Sequence, residues 1–139
     1  MLQGINHIGI AVKDLEVSKQ RYAQLFRVEQ FHEETIEMQK VRIASFSLNG
    51  VLIELTAAIS DDSPIAQFIA KRGEGIHHIA FTSNAIEDDL SHAEEHGIRL
   101  INQIPVPGAH DMQIAFLHPS STGGVLMEFC QPNHTDTHE

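Results

Sequence analysis

Two histidines and two glutamates occupy matching places in the two halves of this sequence. The stretches NHIGIAVKDLE and HHIAFTSNAIE align at an offset of 71 residues, which pairs His7 with His78. The stretches GVLIEL and GVLMEF align at an offset of 74 residues, which pairs Glu54 with Glu128. A lone polar residue in a strand is usually an ordinary surface residue, but a histidine and a glutamate that recur together indicate a set of functional groups.

The chemistry that suits these four residues is metal binding. Two imidazoles and two carboxylates that converge in a cleft form a ligand set without thiolate, which suits Mn, Co, Ni, Fe or Zn. Four protein ligands around an octahedral ion leave two positions open for a substrate, whereas four ligands around a tetrahedral zinc close the site. The sequence therefore predicts a metal site formed by His7, Glu54, His78 and Glu128.

Strand periodicity explains how these side chains come to share a surface. Successive strand side chains point to opposite faces of a sheet. Each of the four segments places bulky apolar residues on one face and His or Glu beside small residues on the other. We expect the bulky faces to pack on helices, and the opposite faces to line a concavity.

Each half is predicted to form a strand, a helix and three further strands, in an α+β fold within a single domain, 1–139. Module one covers about 3–58, a linker helix about 63–72, module two about 75–131 and a tail 132–139. The predicted strands lie near 5–12, 28–37, 41–48, 51–56, 76–82, 98–103, 112–117 and 124–130, with 105–111 as a loop.

Capping residues and turn signals place the helices and one hairpin. Asp14 is expected to cap a helix over 15–26, and Ser63 with Pro64 to start the linker helix that Gly73 ends. Asn84 and Glu87 predict a capping box for the helix that ends at Gly97. The dipeptide at 49–50 is Asn-Gly, a strong two-residue hairpin signal.

Composition excludes several classes of function. The formal net charge of −10 argues against nucleic acid or an anionic membrane surface as a partner, because both require clustered Lys and Arg. No apolar run approaches the roughly 20 residues that span a bilayer, and the first residues do not resemble a secretory signal. Cys130 is the one cysteine, so no disulfide can form within the chain, and we expect a cytoplasmic location.

The sequence resembles the vicinal oxygen chelate superfamily and, within it, the methylmalonyl-CoA epimerase family. The stretches that carry the resemblance are NHIGIAVKDLE, DSPIAQFIAKRGEGIHHIAF, GAHD and FLHPSSTGGVLMEFCQP. The resemblance covers nearly the whole chain, from about Ile5 to Pro132. It implies paired βαβββ modules that form a curved, barrel-like mixed sheet around a divalent metal held by His7, Glu54, His78 and Glu128.

The resemblance also implies a reaction, which is proton abstraction next to the thioester of (2R)- or (2S)-methylmalonyl-CoA through a metal-stabilised enolate. Co is the favoured metal among Co, Mn, Ni and Zn, and a homodimer is common for this scaffold. Many relatives carry a glutamate at the position of Ile43, so the acid–base roles here are expected to fall to Glu128 and Glu54. Such an enzyme takes part in propionate metabolism.

The CoA moiety needs positive partners, although the chain is acidic overall. Lys71 and Arg72, at the end of the linker helix, are the candidate CoA-binding residues, with Lys40 and Arg42 as further local positive charges. In two stretches that the family shares, His110 and His118 are weaker candidates for substrate contact, and His118 could equally be a turn residue before Pro119.

Three alternatives stay open at this point. The His/Glu pattern is shared with glyoxalase I, which isomerises a glutathione hemithioacetal on the same metal scaffold. A non-catalytic small-molecule-binding protein of this fold is the second alternative, although such proteins often lack the full ligand set. An iron-dependent dioxygenase is the third, and it would require two histidines and one carboxylate.

Overall fold

The computed structural model describes residues 1–133 of the 139-residue chain. The strands are β1 Leu2–Ala11, β2 His32–Ile36, β3 Val41–Leu48, β4 Val51–Ala58, β5 Gly75–Ser83, β6 Val106–Gly108, β7 Met112–Leu117 and β8 Met127–Pro132. The α-helices are α1 Leu15–Phe26, α2 Pro64–Arg72 and α3 Ile86–Glu95.

The order of elements repeats as strand, helix and three strands, with α2 between the two sets. This order confirms the predicted α+β class and its two βαβββ modules. The chain divides into a first unit, His7–His77, and a second unit that combines Met1–Asn6 with the chain from His78 onward. The single domain stays a prediction, and the part of the predicted tail beyond Asn133 lies outside the described residues.

The four strands of the first module follow the order β2-β3-β4-β1. Strand β3 is antiparallel to β2 and β4, and β4 is parallel to β1. Between β3 and β4, Asn49 and Gly50 have φ angles of 49° and 91°. A two-residue turn with positive φ at both positions matches the right-handed twist of its flanking strands, which confirms the predicted hairpin.

Helix α1 covers the bulky face of this module. Its predicted bounds are confirmed, and the side chain of Asp14 caps it by accepting a 3.1 Å hydrogen bond from the N–H of Val17. Leu15 is buried in a cluster with Leu55 of β4, and Ile53 packs against the same cluster. The glutamate between Ile53 and Leu55 therefore faces away from the helix, as the alternation predicts.

The second module follows the strand order β5-β8-β7-β6, in which β5 and β8 are parallel and the other neighbours are antiparallel. Helix α3 buries Ile86 and Leu90 against Leu117 of β7 and Phe129 of β8. Phe81 of β5 packs against the same cluster. The bulky strand faces of both modules thus pack on a helix, which confirms the prediction.

Helix α2 begins and ends where the sequence predicts. Ser63 accepts a 3.2 Å hydrogen bond from the N–H of Ile65 through its hydroxyl, and Pro64 is the first helical residue. Gly73, at φ 77°, ends the helix by donating its N–H to Ile69 O. No helix within residues 1–133 is both long and apolar enough to cross a membrane.

The strand predicted over 98–103 is wrong. That segment contributes an isolated bridge between Leu100 and Leu117, and it packs Ile98 and Leu100 against the α3 cluster. The second pairing partner of β7, besides β8, is β6, which lies inside the predicted loop. Its Pro107 is tolerated because β6 is the last strand in the order and has one pairing partner.

The capping box predicted for α3 is also wrong. The residue before the helix is Ala85, which makes no side-chain capping bond. The first N–H of the helix, that of Ile86, donates instead to Gln131 Oε1 at 2.7 Å. Asn84 accepts a 2.7 Å hydrogen bond from the nitrogen of Met1. The cap therefore comes from a residue 45 positions away in sequence, which local pattern reading does not detect.

Two further strands begin later in the chain than predicted. Strand β2 begins at His32, although the predicted strand begins at position 28. Strand β8 begins at Met127, because Gly123 and Gly124 adopt positive φ and belong to the preceding turn. Neither difference moves a predicted metal ligand out of its strand.

Candidate functional site

The first unit brings together His7 of β1 and Glu54 of β4. Pairing of the two parallel strands places Leu52 beside His7 and Glu54 beside Gly9, so the histidine and the glutamate lie on the same face. His7 Nδ1 is 3.5 Å from Glu54 Oε2, and the two side chains are only 4% and 3% exposed. The structure therefore brings these two predicted ligands together, and their role in metal binding stays a prediction.

The second unit brings together His78 of β5 and Glu128 of β8. Glu128 is paired with Ala80, so the glutamate and His78 again share a face. His78 Nε2 is 3.6 Å from Glu128 Oε1, and the side chains are 8% and 4% exposed. The ring of Phe116 packs edge-on against His78, with 5.5 Å between the ring centroids.

Both pairs have a spacing that suits two ligands of one metal ion. Two atoms bound to the same ion at about 2.0–2.1 Å lie about 3.0–3.5 Å apart, at octahedral or tetrahedral angles. Typical hydrogen bonds to oxygen are shorter, at about 2.9 Å. The observed separations of 3.5 Å and 3.6 Å lie at and just above the upper limit of this range. The imidazole nitrogen and the carboxylate oxygen of each pair therefore suit two of the ligands of a divalent metal.

Burial is the second reason to assign function to these carboxylates. Glu54 and Glu128 are 2% and 3% exposed, although glutamate is among the residues least often buried. A buried carboxylate costs several kcal/mol unless a positive partner compensates it. An imidazole beside each carboxylate, with a divalent cation between them, would supply that compensation.

Each glutamate has one small neighbour, which lies on the adjacent parallel strand. Gly9 is the partner of Glu54 on one side, and Ala80 is the partner of Glu128. On their other sides, Glu54 is paired with Ser45 of β3 and Glu128 with Phe116 of β7. The two glutamates therefore have equivalent places in their strands but different neighbours.

A further imidazole–carboxylate pair lies on β2 and was missed by the sequence analysis. His32 Nε2 is 2.9 Å from Glu34 Oε1, and the side chains are 57% and 27% exposed. The signal in the sequence was their spacing of two residues, which puts both side chains on one face of a strand. The pair was not predicted because the sequence did not show which face of the predicted strand over 28–37 points inward.

The candidate CoA-binding residues lie at the end of α2. Lys71 and Arg72 are both exposed, and the Arg72 guanidinium lies 5.8 Å from the ring centroid of Phe68. Their role in binding CoA stays a prediction. The other local cations are engaged in ion pairs, Lys40 with Asp62 and Arg42 with Glu16 and Glu33.

Three other histidines, His77, His110 and His118, differ from the paired histidines in their own conformation or contacts. His77 packs edge-on against Phe68, with 5.0 Å between ring centroids, and burial lowers its pKa to about 4. The Nδ1 of His118 accepts a hydrogen bond from the N–H of Ser120, which is a turn role. His110 adopts a left-handed backbone conformation, with φ 57°, and substrate contact by His110 stays a prediction.

Comparisons with known proteins agree with the geometry. Residues 6–116 match the family model described as Glyoxalase/Bleomycin resistance protein/Dioxygenase superfamily. The chain is 38% identical over 128 residues to the uncharacterised protein YqjC of Bacillus subtilis, with 92% of this chain and 91% of that protein covered. It is 32% identical over 133 residues to the ethylmalonyl-CoA/methylmalonyl-CoA epimerase of Cereibacter sphaeroides, covering 94% and 99% of the two chains.

Among solved structures, the fold is similar to a methylmalonyl-CoA epimerase in complex with methylmalonyl-CoA and NH4+. The TM-score is 0.89 at 34% sequence identity, and the match covers 96% of each chain.

Proposed function

We propose that this chain, which belongs to the Glyoxalase/Bleomycin resistance protein/Dioxygenase superfamily, interconverts the two epimers of methylmalonyl-CoA with a divalent metal. The observation that carries the proposal is the repeated buried pair, His7 with Glu54 and His78 with Glu128, each at ligand spacing. The epimerases among its relatives support the choice of substrate.

In this proposal, His7, Glu54, His78 and Glu128 are the ligands of one metal ion. Bound there, a divalent ion would polarise the thioester carbonyl and stabilise the negative charge of the deprotonated substrate. Co is our favoured ion among Co, Mn, Ni and Zn. A homodimer and a cytoplasmic location stay predictions.

The two glutamates would carry the proton transfers. The carbon between the thioester and the carboxylate loses its proton from one face to the carboxylate of Glu54. The carboxylic acid of Glu128 then returns a proton to the opposite face, and the reverse reaction exchanges these roles. Each acid–base step typically contributes about 10²–10⁴-fold to the rate. Ile43 is buried on β3 and carries no acid, so neither step is assigned to it.

The proposal assigns recognition of CoA to the end of helix α2. Lys71 and Arg72 would attract its phosphates, because both lie exposed in the last turn of α2. If they do, replacing both with Gln raises the KM for the CoA thioester and weakens its dependence on salt, while kcat changes little.

Deuterium wash-in tests the function directly. Co-loaded protein is mixed with one epimer of methylmalonyl-CoA in D₂O, and mass spectrometry follows the α-carbon while chiral analysis follows epimerisation. The glutathione–methylglyoxal adduct is run in parallel, and a chelator-treated sample serves as the control.

We expect fast deuteration of the thioester with loss of stereochemical purity, and neither effect after chelation. Reaction of the glutathione adduct alone would support the glyoxalase alternative. If neither substrate reacts, the epimerase proposal is wrong and a binding protein of this fold becomes the better explanation.

A further inference from the structure

Two histidines at the end of helix α3 take no part in the site described above. His92 and His96 are four residues apart, so they lie on the same side of the helix, one turn from each other. Both are exposed, whereas the helix packs against its sheet through Leu90. His78 and Glu128 lie on the opposite face of that sheet, so the two exposed histidines are a separate group.

The two exposed imidazole rings lie next to each other. Their centroids are 4.3 Å apart, and the ring planes differ by 38°. From this separation, small rotations about the side-chain bonds can bring one nitrogen of each ring to the spacing of about 3.0–3.5 Å that two ligands of one ion require. Zinc enzymes use the same arrangement, in which one helix supplies two histidines four residues apart.

A hydrogen bond to the backbone fixes the tautomer of His96. Its Nδ1 is 2.8 Å from the carbonyl oxygen of His92. A carbonyl oxygen only accepts hydrogen bonds, so in the neutral ring Nδ1 carries the proton and Nε2 keeps its lone pair. Histidines that bind metals usually donate their other ring N–H to such an acceptor, which orients the ring. The Nε2 atom of His96 is therefore available as a ligand.

The charges around the two rings favour a cation. Glu94 and Glu95 are exposed and directly precede His96 in the chain. The rings also lie at the C-terminal end of α3, where the helix carbonyl groups place a partial negative charge. The helix itself, Ile86–Glu95, contains no lysine or arginine that would repel a metal ion.

The donor atoms select the class of ion. Neutral imidazoles suit Zn, Cu and Ni, whereas Mg and Ca prefer oxygen ligands. Two protein ligands bind an ion less tightly than the four ligands of the centre proposed above. Co lies below Ni and Cu in the usual order of affinity, so one equivalent of Co fills the four-ligand centre and leaves the exposed histidines empty.

We propose that His92 and His96 form a second metal site, which binds one Zn²⁺, Cu²⁺ or Ni²⁺ ion on the surface of α3. The ligand atoms are Nε2 of His96 and a ring nitrogen of His92, and water completes the coordination. The bound ion links the last turn of the helix to the residue that follows it. This site does not depend on the proposed epimerase reaction.

Equilibrium dialysis against Zn tests the site. Wild-type chain that already holds one equivalent of Zn is dialysed against rising Zn concentrations, and elemental analysis counts the ions bound per chain. We expect one further ion to bind to the wild type. His92→Ala and His96→Ala should each weaken its affinity about 10–100-fold, because the second ligand is no longer held beside the first.

The matched control exchanges two neighbouring residues, through Ser91→His together with His92→Ser. The exchange keeps the composition and the net charge, but it turns the first imidazole by about 100° around the helix, away from His96. We expect the same loss of affinity as in His92→Ala. Wild-type affinity in this variant would mean that the spacing of the two rings does not matter, and the proposal would be wrong.

Spectra of the histidine rings give a second readout, which identifies the residues that bind. Long-range ¹H–¹⁵N spectra of the metal-free chain should show the His96 proton on Nδ1. Zn beyond the first equivalent should then shift the Nε2 signal of His96 and one ring-nitrogen signal of His92 together. A proton on Nε2 of His96 in the metal-free chain, or shifts confined to other histidines, would contradict the proposal.

The remaining outcomes separate metal binding from a role in folding. Circular dichroism of the metal-free variants measures their helix content, which should match the wild type. A loss of affinity that parallels a loss of helix content would assign the effect to unfolding of α3 and overturn the site. Equal affinity for the further ion in all four proteins would place that ion elsewhere and overturn it as well.

Discussion

The glutamates of the two modules have equivalent positions in their strands, but the side chains beside them differ. Glu54 is flanked by Gly9 and by the hydroxyl of Ser45. Glu128 is flanked by Ala80 and by the ring of Phe116. On that face of the second module, Ala80 packs in an apolar cluster with Met112, Ile114 and Cys130, and Phe116 packs against it.

The difference suggests that the two halves share ligand chemistry and divide the other tasks. A ligand pair needs a fixed spacing, and both halves have nearly the same one. The hydroxyl of Ser45 beside Glu54 is a hydrogen-bonding group, whereas the ring beside Glu128 suits the orientation of His78 by packing. The predictions below test this division.

The largest expected effect comes from Glu128→Gln. The amide keeps an oxygen for the metal but cannot exchange a proton, so turnover should fall by about 10²–10⁴-fold while most of the metal remains bound. Steady-state kinetics and metal analysis of the same preparation measure both quantities. Glu95→Gln, an exposed change at the end of α3, is the control, and near-full activity in Glu128→Gln would contradict the role assigned to this residue.

The next largest effect is expected from a change at Phe116, which should show how the second module differs from the first. Phe116→Ala removes the ring that packs on His78, and we expect a loss of about 2 kcal/mol in unfolding free energy, less than for a fully buried phenylalanine. Co affinity should fall about tenfold, as it does when groups that orient a ligand are lost. Denaturant titration and Co titration measure the two effects.

Ser45→Ala is the counterpart in the first module, and it should leave Co affinity unchanged. Equal losses of affinity in Phe116→Ala and Ser45→Ala would argue against a division of tasks between the modules.

A smaller effect is expected from His77, whose surroundings differ from those of the adjacent His78. His78 lies 3.6 Å from the carboxylate of Glu128, whereas His77 packs on Phe68. Burial lowers the pKa of His77 to about 4 from an ordinary 6.5. Below pH 6.5 the unfolded chain binds a proton at this position and the folded chain does not until about pH 4, so stability falls as the pH falls through this window.

His77→Phe should remove that part of the acid sensitivity. Because the ring is only partly shielded from water, the gain should be roughly 1–2 kcal/mol at pH 4 relative to pH 7. Chemical denaturation at the two pH values measures the difference. An unchanged pH dependence in the variant would show that His77 does not titrate in this way.

The smallest expected effects concern how the equivalent helices begin. Asp14→Ala removes the side-chain cap of α1 and should cost about 1 kcal/mol. Gln131→Ala removes the acceptor of the first α3 N–H and should cost a similar amount. Thermal unfolding of both variants checks this, and no change in the Gln131 variant would mean that water replaces the lost acceptor.

The repeated signals in the sequence predicted most of the fold. Alternation identified the faces of β1, β4, β5 and β8, and the Asn-Gly turn and two caps were placed correctly. Strand β6 could not be found in this way, because it is three residues long and contains Pro107. The cap of α3 could not be predicted from local sequence either, since its acceptor is Gln131 of β8.

The candidate site was predictable to the same extent. The strand periods place the histidine and the glutamate of each pair on one face, and in the structure the two members of each pair lie close to each other. The pair His32–Glu34 needed the register of β2 on β3, which depends on tertiary pairing rather than on a local pattern.

The measurement that tests the central claim most directly is metal stoichiometry in matched variants. The claim is that His7 with Glu54 and His78 with Glu128 supply one metal centre. Purified wild type, His7→Ala and His78→Ala would be titrated with Co, and bound metal per chain counted by elemental analysis. The account predicts one ion per chain in the wild type and loss of tight binding in either variant. Two ions per chain, or full binding after loss of one histidine, would contradict it.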